Sequence, residues 1–263
     1  MSIFLKKSYN GNNLEVPDVK ILHHGRVFIS ADWNIRNRNM PFWYCYWNET
    51  PGATLEFGNK TLELTPEHLL LIPPHTTFST SVQHSFQHFF IHFIAGSPFN
   101  RIRRQEILLP AEHYLPFLKR RMEPDAVSCA LQLYALLYEL LLILPADCFA
   151  EKEELVMDPR ILKALEFMMQ PEAIREGNLD FCRKIGMSLS NFQRLFKLEM
   201  EMSPKHYFLN LRLEKARQLL VSSDWKIPEI ARQTGFADRY HFSKAFKAYF
   251  KMSPVQFRIR NMS

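Results

Sequence analysis

The chain has 263 residues, of which 47% are hydrophobic, and a formal net charge of +6. This length is sufficient for two ordinary hydrophobic cores, so two domains are expected. The four cysteines lie far apart and form no CxxC pair, which argues against a zinc site and against a disulfide framework. The amino terminus, MSIFLKKSYN, is too polar for a signal peptide, so the expected compartment is the cytoplasm.

The charge is unevenly distributed along the chain. Residues 158–263 carry 19 Lys and Arg against 11 Asp and Glu, a net charge of +8, whereas residues 1–157 carry 14 against 16, a net charge of −2. A basic half joined to a near-neutral half is expected when one domain binds a polyanion and the other has a different task. A solvated lysine-rich surface would give the same balance, so charge alone does not decide between them.

The first part of the chain is predicted to be mainly β. Between residues 16 and 95, short segments rich in aromatic and β-branched residues, such as FWYCYW and HFFIHF, are separated by Pro, Gly, Asn and Asp. This spacing is typical of a sandwich or small barrel. Gly58-Asn59 lies between two alternating runs and predicts a hairpin, because both residue types tolerate a positive φ. We therefore expect a β domain over residues 1–109.

Residues 110–150 show apolar residues at helical spacing, including Leu115, Leu118 and Met122 and then a run from Leu133 to Leu144. These residues predict two helices. The second, with the run from Leu133 to Leu144, is apolar on more than one face, which favours a dimer interface. The alternative is a helix that only packs over the β domain. The run ALQLYALLYELLLILP is shorter than 18 residues and contains Gln132 and Glu139, so no membrane span is expected.

Seven helices are predicted after Asp158, where an N-cap residue followed by Pro159 marks the start of a third region, residues 158–263. The phrase FKLEMEMSPKHYF, which begins at Phe196, returns fifty residues later as FKAYFKMSPVQFR. A repeat of this period indicates one supersecondary unit used twice. In each copy a short helix, a turn that contains glycine and a longer helix follow one another, which is the order of a helix-turn-helix.

The two expected turns differ by one residue. Gly186 and Gly235 supply the tight turns, and Cys182 and Ala231, four residues before them, are small enough for close helix packing. Ten residue steps separate Gly186 from the Phe-Lys pair of its repeat, against eleven for Gly235. The two turns should therefore differ in detail.

The second helix of each copy is expected to present polar residues outward. Arg and Gln carry the paired donors and acceptors that match guanine and adenine edges, whereas Lys197 and Lys247 are placed to meet phosphate. A solvated surface is the alternative for any one of these residues taken singly. The candidate DNA-binding residues are Ser190, Gln193, Arg194, Lys197, Arg239, Tyr240, Ser243, Lys244 and Lys247.

The segment IPEIARQTGFADRYHFSKAFKAYFKMSPVQFR resembles the signature of the AraC family of bacterial transcription regulators. The matching residues are Ile230, Ala231, Gly235, Phe236, Phe242, Ser243, Phe246, Lys247, Ser253, Pro254 and Arg258. The resemblance covers about residues 158–261 and implies two helix-turn-helix subdomains, each placing one helix in the major groove. Phe181-Cys182 stands where the family usually has Leu-Ala, which implies a slight shift in packing.

The β part resembles, less specifically, the cupin-like sensor domains of that family, through LELTPEHLLLIPPHTTFS followed by HFFIHF. Cupin enzymes hold a metal through a His-x-His pair, which this sequence lacks, so neither a metal nor another cofactor is expected. Aromatic rings with Arg and His donors would suit a sugar or related metabolite. The alternative is that each of these side chains is an ordinary residue of the hydrophobic core. The candidate ligand-binding residues are Arg38, Trp43, Tyr44, His75 and His88, with Arg38 and His88 favoured by the resemblance.

These observations predict an α+β multidomain protein: a cupin-like β-barrel or sandwich, a helical dimerisation segment and an all-α double helix-turn-helix domain. The expected function is sequence-specific, effector-responsive transcription regulation rather than catalysis, with an activator favoured over a repressor by the resemblance. Expected partners are double-stranded DNA, a small effector, a second copy of the chain and RNA polymerase. The alternatives are a cupin-type metalloenzyme with an accessory basic domain and a nonspecific architectural DNA-binding protein.

Overall fold

The computed structural model describes residues 17–30, 33–99, 102–119, 126–149, 157–170, 173 and 176–262. The chain divides into two compact units. The first, here called the sheet unit, comprises residues 1–29, 41–76 and 83–156; the second, the helical unit, comprises residues 30–40, 77–82 and 157–263. Met122 and residues 150–156, which precede the expected third region, lie outside the described residues.

The sheet unit is built on antiparallel strands, in agreement with the predicted β domain. Its strands are β1 (Val19–Ile29), β2 (Trp43–Asn48), β3 (Ala53–Phe57), β4 (Lys60–Leu64), β5 (His68–Ile72), β7 (Phe86–Ala95) and β8 (Ile107–Pro110), while β6 (Ser79–Val82) belongs to the helical unit. The larger sheet has the strand order β1-β7-β2-β5-β8. β3 and β4 form the predicted hairpin, with Phe57 opposite Lys60 and Gly58 at a φ of 58°.

Two helices follow the strands: α1 (Leu115–Lys119) and α2 (Ala126–Leu142). One face of α2, which includes Leu133, Leu137 and Leu140, is buried in one cluster with Trp43 and Trp47 of β2. The helix therefore covers one face of the larger sheet. In the part of the chain that the structure describes, no helix combines the length and apolarity needed to cross a bilayer.

The helical unit contains the seven predicted helices. They are α3 (Pro159–Met169), α4 (Asn178–Ile185), α5 (Leu189–Met200), α6 (Pro204–Ser222), α7 (Ile227–Gln233), α8 (Arg239–Phe250) and α9 (Pro254–Met262). The predicted caps form: the side chains of Asp158, Ser203 and Ser253 accept hydrogen bonds from main-chain amides of the helices that they precede.

Two separate cores divide the helical unit. The first joins α3, α4 and α5 to the start of α6 through Tyr207 and Phe208, and the second joins the rest of α6 to α7, α8 and α9 through Leu213 and Leu220. The long helix α6 therefore contributes to both subdomains and connects them. The helical unit also contains residues 30–40 and 77–82, so it is not the contiguous region 158–263 expected from the sequence.

Candidate nucleic-acid interface and polar cluster

The two helix-turn-helix turns share one backbone geometry. Gly186 ends α4 with a φ of 66°, and Gly235 follows α7 with a φ of 74°. In each turn the amide after the glycine donates to the carbonyl of a small buried residue, Cys182 at 3.0 Å and Ala231 at 2.9 Å. Glycine adopts this left-handed conformation without the steric cost that a side chain imposes.

The expected one-residue difference lies after the glycine. The N-cap of α5 is Ser188, two residues past Gly186, whereas the N-cap of α8 is Asp238, three residues past Gly235. Asp238 accepts hydrogen bonds from two amides in the first turn of α8, each at 2.7 Å. The bond from the His241 amide, together with that from Tyr240, lowers the pKa of the Asp238 carboxyl. A carboxylate therefore already satisfies these amides of α8.

The first candidate reading helix, α5, has one buried and one exposed face. Phe192 and Phe196 are buried in the first core. Residues three and four apart share a helix face, so the outward side carries a continuous polar surface. Ser190, Gln193, Arg194 and Lys197 are all exposed.

The second candidate reading helix, α8, repeats this arrangement around buried Phe242 and Phe246. Arg239, Tyr240, Lys244 and Lys247 are exposed and Ser243 is half-buried. A recess of about 520 Å³ brings Arg239, Tyr240 and Ser243 together with Lys226 and Arg258. Several donors and positive charges therefore surround one concave surface, which is suited to an anion.

Two arginines of the helical unit, Arg212 and Arg258, make hydrogen bonds that stabilise the fold. Arg212 of α6 stacks on Phe208, with its guanidinium carbon 4.5 Å from the ring centroid, and donates to the carbonyl of Gly235 at 3.3 Å. Arg258, one of the residues that match the AraC-family signature, donates to the carbonyls of Leu220 and Ser223 at 3.2 and 3.4 Å. Arg212 thus ties α6 to the second glycine turn, and Arg258 satisfies carbonyls at the end of α6.

In the sheet unit, the face of β2 and β7 opposite α2 carries a group of buried polar side chains, called here the polar cluster: Tyr44, Tyr46, Asn48, His88 and His92. Asn48 lies opposite His88 in the strand register, and its Oδ1 is 2.8 Å from Nδ1 of His88. The Tyr46 hydroxyl is 3.4 Å from Nε2 of His92, and the rings of Tyr44 and His92 are 4.8 Å apart.

The amide nitrogen of Asn48 is fully buried and donates to no group in the described part of the chain. A buried donor without an acceptor costs free energy, on the order of 1–3 kcal/mol. An acceptor on a bound molecule would remove that cost.

Among the described residues, no group of three or more His, Cys, Asp or Glu is arranged to hold a metal ion.

The structure separates the predicted ligand-binding residues. Tyr44 and His88 belong to the polar cluster, but Trp43 lies on the other face of β2 and stacks on Phe93, with ring centroids 5.7 Å apart. Strand alternation sends neighbouring residues to opposite faces, so Trp43 and Tyr44 cannot line one site. His75 follows β5 with a φ of 61°, and burial together with Arg104 lowers its pKa to about 3.

Arg38 is assigned to a different unit from the polar cluster. It belongs to the helical unit, where its Nη2 is 2.6 Å from a carboxylate oxygen of Glu214. The resemblance favoured Arg38 as a ligand-binding residue of the β domain, but the segment of residues 30–40 belongs to the helical unit. The sequence reasoning missed Tyr46, Asn48 and His92; strand alternation from Tyr44 pointed to the first two, whereas His92 needed the pairing of β2 with β7.

Comparison with known proteins agrees with this architecture. A family model described as a helix-turn-helix domain matches residues 181–260. The raffinose operon transcriptional regulatory protein RafR of Pediococcus pentosaceus is 32% identical over 126 residues, which are 48% of this chain and 45% of RafR. The chain spans less than half the length of the curated relatives that it matches.

Two solved structures extend the comparison. A transcriptional regulator with an AraC-type DNA-binding domain from Chromobacterium violaceum is 31% identical over 39% of this chain and 92% of that chain, with a TM-score of 0.37. ToxT from Vibrio cholerae covers 92% of this chain and 99% of its own, with a TM-score of 0.62 and 15% identity. At that identity, the likeness to ToxT is one of fold alone.

Proposed function

We propose that the chain belongs to the AraC family and is a sequence-specific transcription regulator that binds double-stranded DNA and responds to a small effector. The observation that carries the proposal is the pair of exposed polar faces on α5 and α8. Each helix follows, along the chain, a turn in which a glycine has the same left-handed conformation. In a helix-turn-helix the second helix lies in the major groove, and base edges are read by side chains such as Arg and Gln. The protein acts where DNA is present, in the cytoplasm.

Selection of bound duplexes from a random DNA library by the full chain, at about 150 mM salt, tests the proposal. Two short blocks about one helical turn apart, roughly 10 base pairs, are the expected result. Recovery of duplexes without any common sequence would contradict it and favour the architectural alternative, which needs charge but no base reading. Arg183→Lys, in which an exposed arginine paired with Asp180 on α4 is replaced, is the matched control and should select the same blocks.

The proposed effector site is the polar cluster of the sheet unit. Its tyrosine and histidine rings, with the unsatisfied amide of Asn48, offer stacking faces and hydrogen-bond groups of the kind that bind a neutral hydroxylated molecule. A sugar is the proposed class, supported by the name of RafR, which assigns that relative to a raffinose operon. Of the predicted ligand residues, Tyr44 and His88 have a place in this site.

Calorimetric titration of the full chain with raffinose, lactose and arabinose tests the effector class. One of these sugars is expected to bind, and His88→Ala should weaken that binding at least tenfold, because a buried hydrogen bond to the ligand is lost. His84→Ala is the control, since His84 is exposed just before β7. Absence of binding by all three sugars, or equal binding by the His88 variant, would contradict the assignment.

We further propose that the chain acts as a homodimer and recruits RNA polymerase as an activator. Support for the dimer comes from α2: Val127 and Leu131 are 68% and 67% exposed although the opposite face of the helix is buried. This exposed face is not the run from Leu133 to Leu144 expected from the sequence, most of which is covered within the chain. Activation rests on the family resemblance, and a reporter gene behind the selected DNA blocks would show increased transcription.

A further inference from the structure

Two short segments that lie between strands of the sheet unit along the chain form part of the helical unit. Residues 33–40 precede β2, and residues 77–82 precede β7; together they are called here the strap. Arg38 and Phe78 exchange both main-chain hydrogen bonds, at 2.7 and 2.9 Å. The amide of Thr80 donates to the carbonyl of Ile35 at 2.8 Å, so the two segments form one antiparallel ribbon.

The strap contacts α6 through a buried ion pair. Arg38 Nη2 lies 2.6 Å from one oxygen of Glu214, and the two side chains are 6% and 4% exposed. Arg217, one turn further along α6, donates from Nε to the other Glu214 oxygen at 2.8 Å. Glu214 therefore lies between two guanidinium groups, and its pair with Arg38 connects the strap to the middle of α6.

The same segment contacts both candidate reading helices. The Asn39 amide donates to the carbonyl of Met200, the last residue of α5, at 3.4 Å. The guanidinium carbon of Arg38 is 5.9 Å from the ring centroid of Tyr249 in α8. Arg38 and its neighbour therefore contact the end of one reading helix, the middle of the connecting helix and the last turn of the other reading helix.

We propose that Arg38 is a positioning residue for DNA recognition, which acts through Glu214 to set the separation of α5 and α8. The two subdomains have separate cores joined by α6, so a contact that spans α5, α6 and α8 restricts how far one reading helix moves against the other. This inference rests on the proposed function, because it assigns a role in the DNA binding proposed above.

The test compares DNA of three kinds: both blocks at the selected spacing, both blocks with the spacing changed by about 2 base pairs, and one block alone. Dissociation constants are measured for the full chain and for Arg38→Met, Glu214→Gln and the double variant. Arg36→Met is the control, because Arg36 is exposed on the same strap. Arg38→Met leaves Glu214 paired with Arg217, whereas Glu214→Gln and the double variant leave the Arg217 guanidinium without its carboxylate. Arg38→Met is therefore the variant that keeps the remaining buried charge compensated, and the result stated for the double variant applies to it equally.

The expected result is an about tenfold loss of discrimination between the selected and altered spacings in the double variant. Affinity for the single block should stay within about twofold of the wild type, and Arg36→Met should behave as the wild type. Retention of full spacing discrimination by the double variant, or an equal loss on all three DNAs, would overturn the positioning role alone. Failure of the wild type to select two blocks would instead overturn the proposed function and this inference with it.

Discussion

Arg239 lies folded against Tyr240 at the start of α8, the second candidate reading helix. Its guanidinium carbon is 4.6 Å from the centre of the tyrosine ring, and Nη2 donates to the phenol oxygen at 2.7 Å. Both side chains are exposed, so the pair is formed in contact with solvent. Stacking orients the planar guanidinium. Bidentate contact with a guanine edge requires two guanidinium N–H donors in such a fixed orientation.

Replacement of Arg239 by Lys should relax the preference for one base pair of the selected site by about 1–3 kcal/mol, because an ammonium cannot make the bidentate contact. The positive charge remains, so affinity for unrelated DNA should stay unchanged. Competition binding with a set of single-base variants of the site measures both quantities. The assignment of base reading to Arg239 would be wrong if Arg239→Lys kept the wild-type preference at every position.

Replacement of Lys247 by Ala should weaken binding to all DNA sequences by the same factor. Lys247 is exposed in the last turn of α8 and is proposed to meet phosphate, so its loss removes one released counterion. The slope of log K against log salt should fall in magnitude by about 0.9. Lys60→Ala, on β4 of the sheet unit, should leave the slope unchanged; a change of base preference in Lys247→Ala would contradict the phosphate role.

Replacement of Leu131 by Glu should convert a dimer into a monomer, because it puts a charge into the exposed apolar face of α2. Sedimentation at micromolar concentration measures the change. Leu179→Glu, at a leucine 56% exposed on α4, should remain dimeric. A wild-type chain that sediments as a monomer, or a dimeric Leu131→Glu variant, would remove the proposed interface.

Replacement of His75 by Asn should flatten the pH dependence of stability below neutral pH. The folded-state pKa of about 3 lies below the ordinary value near 6.5, so protonation favours the unfolded chain. The stability from neutral His75 is complete above about pH 6.5 and is lost as the pH falls toward 3. Asn has no such titration and tolerates the left-handed backbone at this position.

Thermal unfolding of both proteins between pH 7.5 and 5 measures this difference. Over that range the wild type should lose about 1–2 kcal/mol more stability than His75→Asn. Parallel loss in the two proteins would show that His75 does not remain neutral in the folded state.

The helical unit was predictable because its signals are local. The caps at Asp158 and Ser203 and the glycine of each turn are recognised within a few residues of the features that they form. The β3–β4 hairpin at Gly58 was predictable for the same reason. The residues of the proposed effector site were less predictable, since Trp43 and Tyr44 are both aromatic and only the packing of α2 decides which face of β2 is the core.

The sequence by itself determined the helix-turn-helix pair, its outward side chains and the mainly β character of the first part, because each depends on periodicity and on contacts within a turn or two. Tertiary structure alone decided which residues meet across long separations. Asn48 meets His88 through strand register, and Arg38 meets Glu214 although 176 positions separate them. No local pattern encodes such pairs, because a buried ionic or polar contact depends on the positions that packing gives to whole strands and helices.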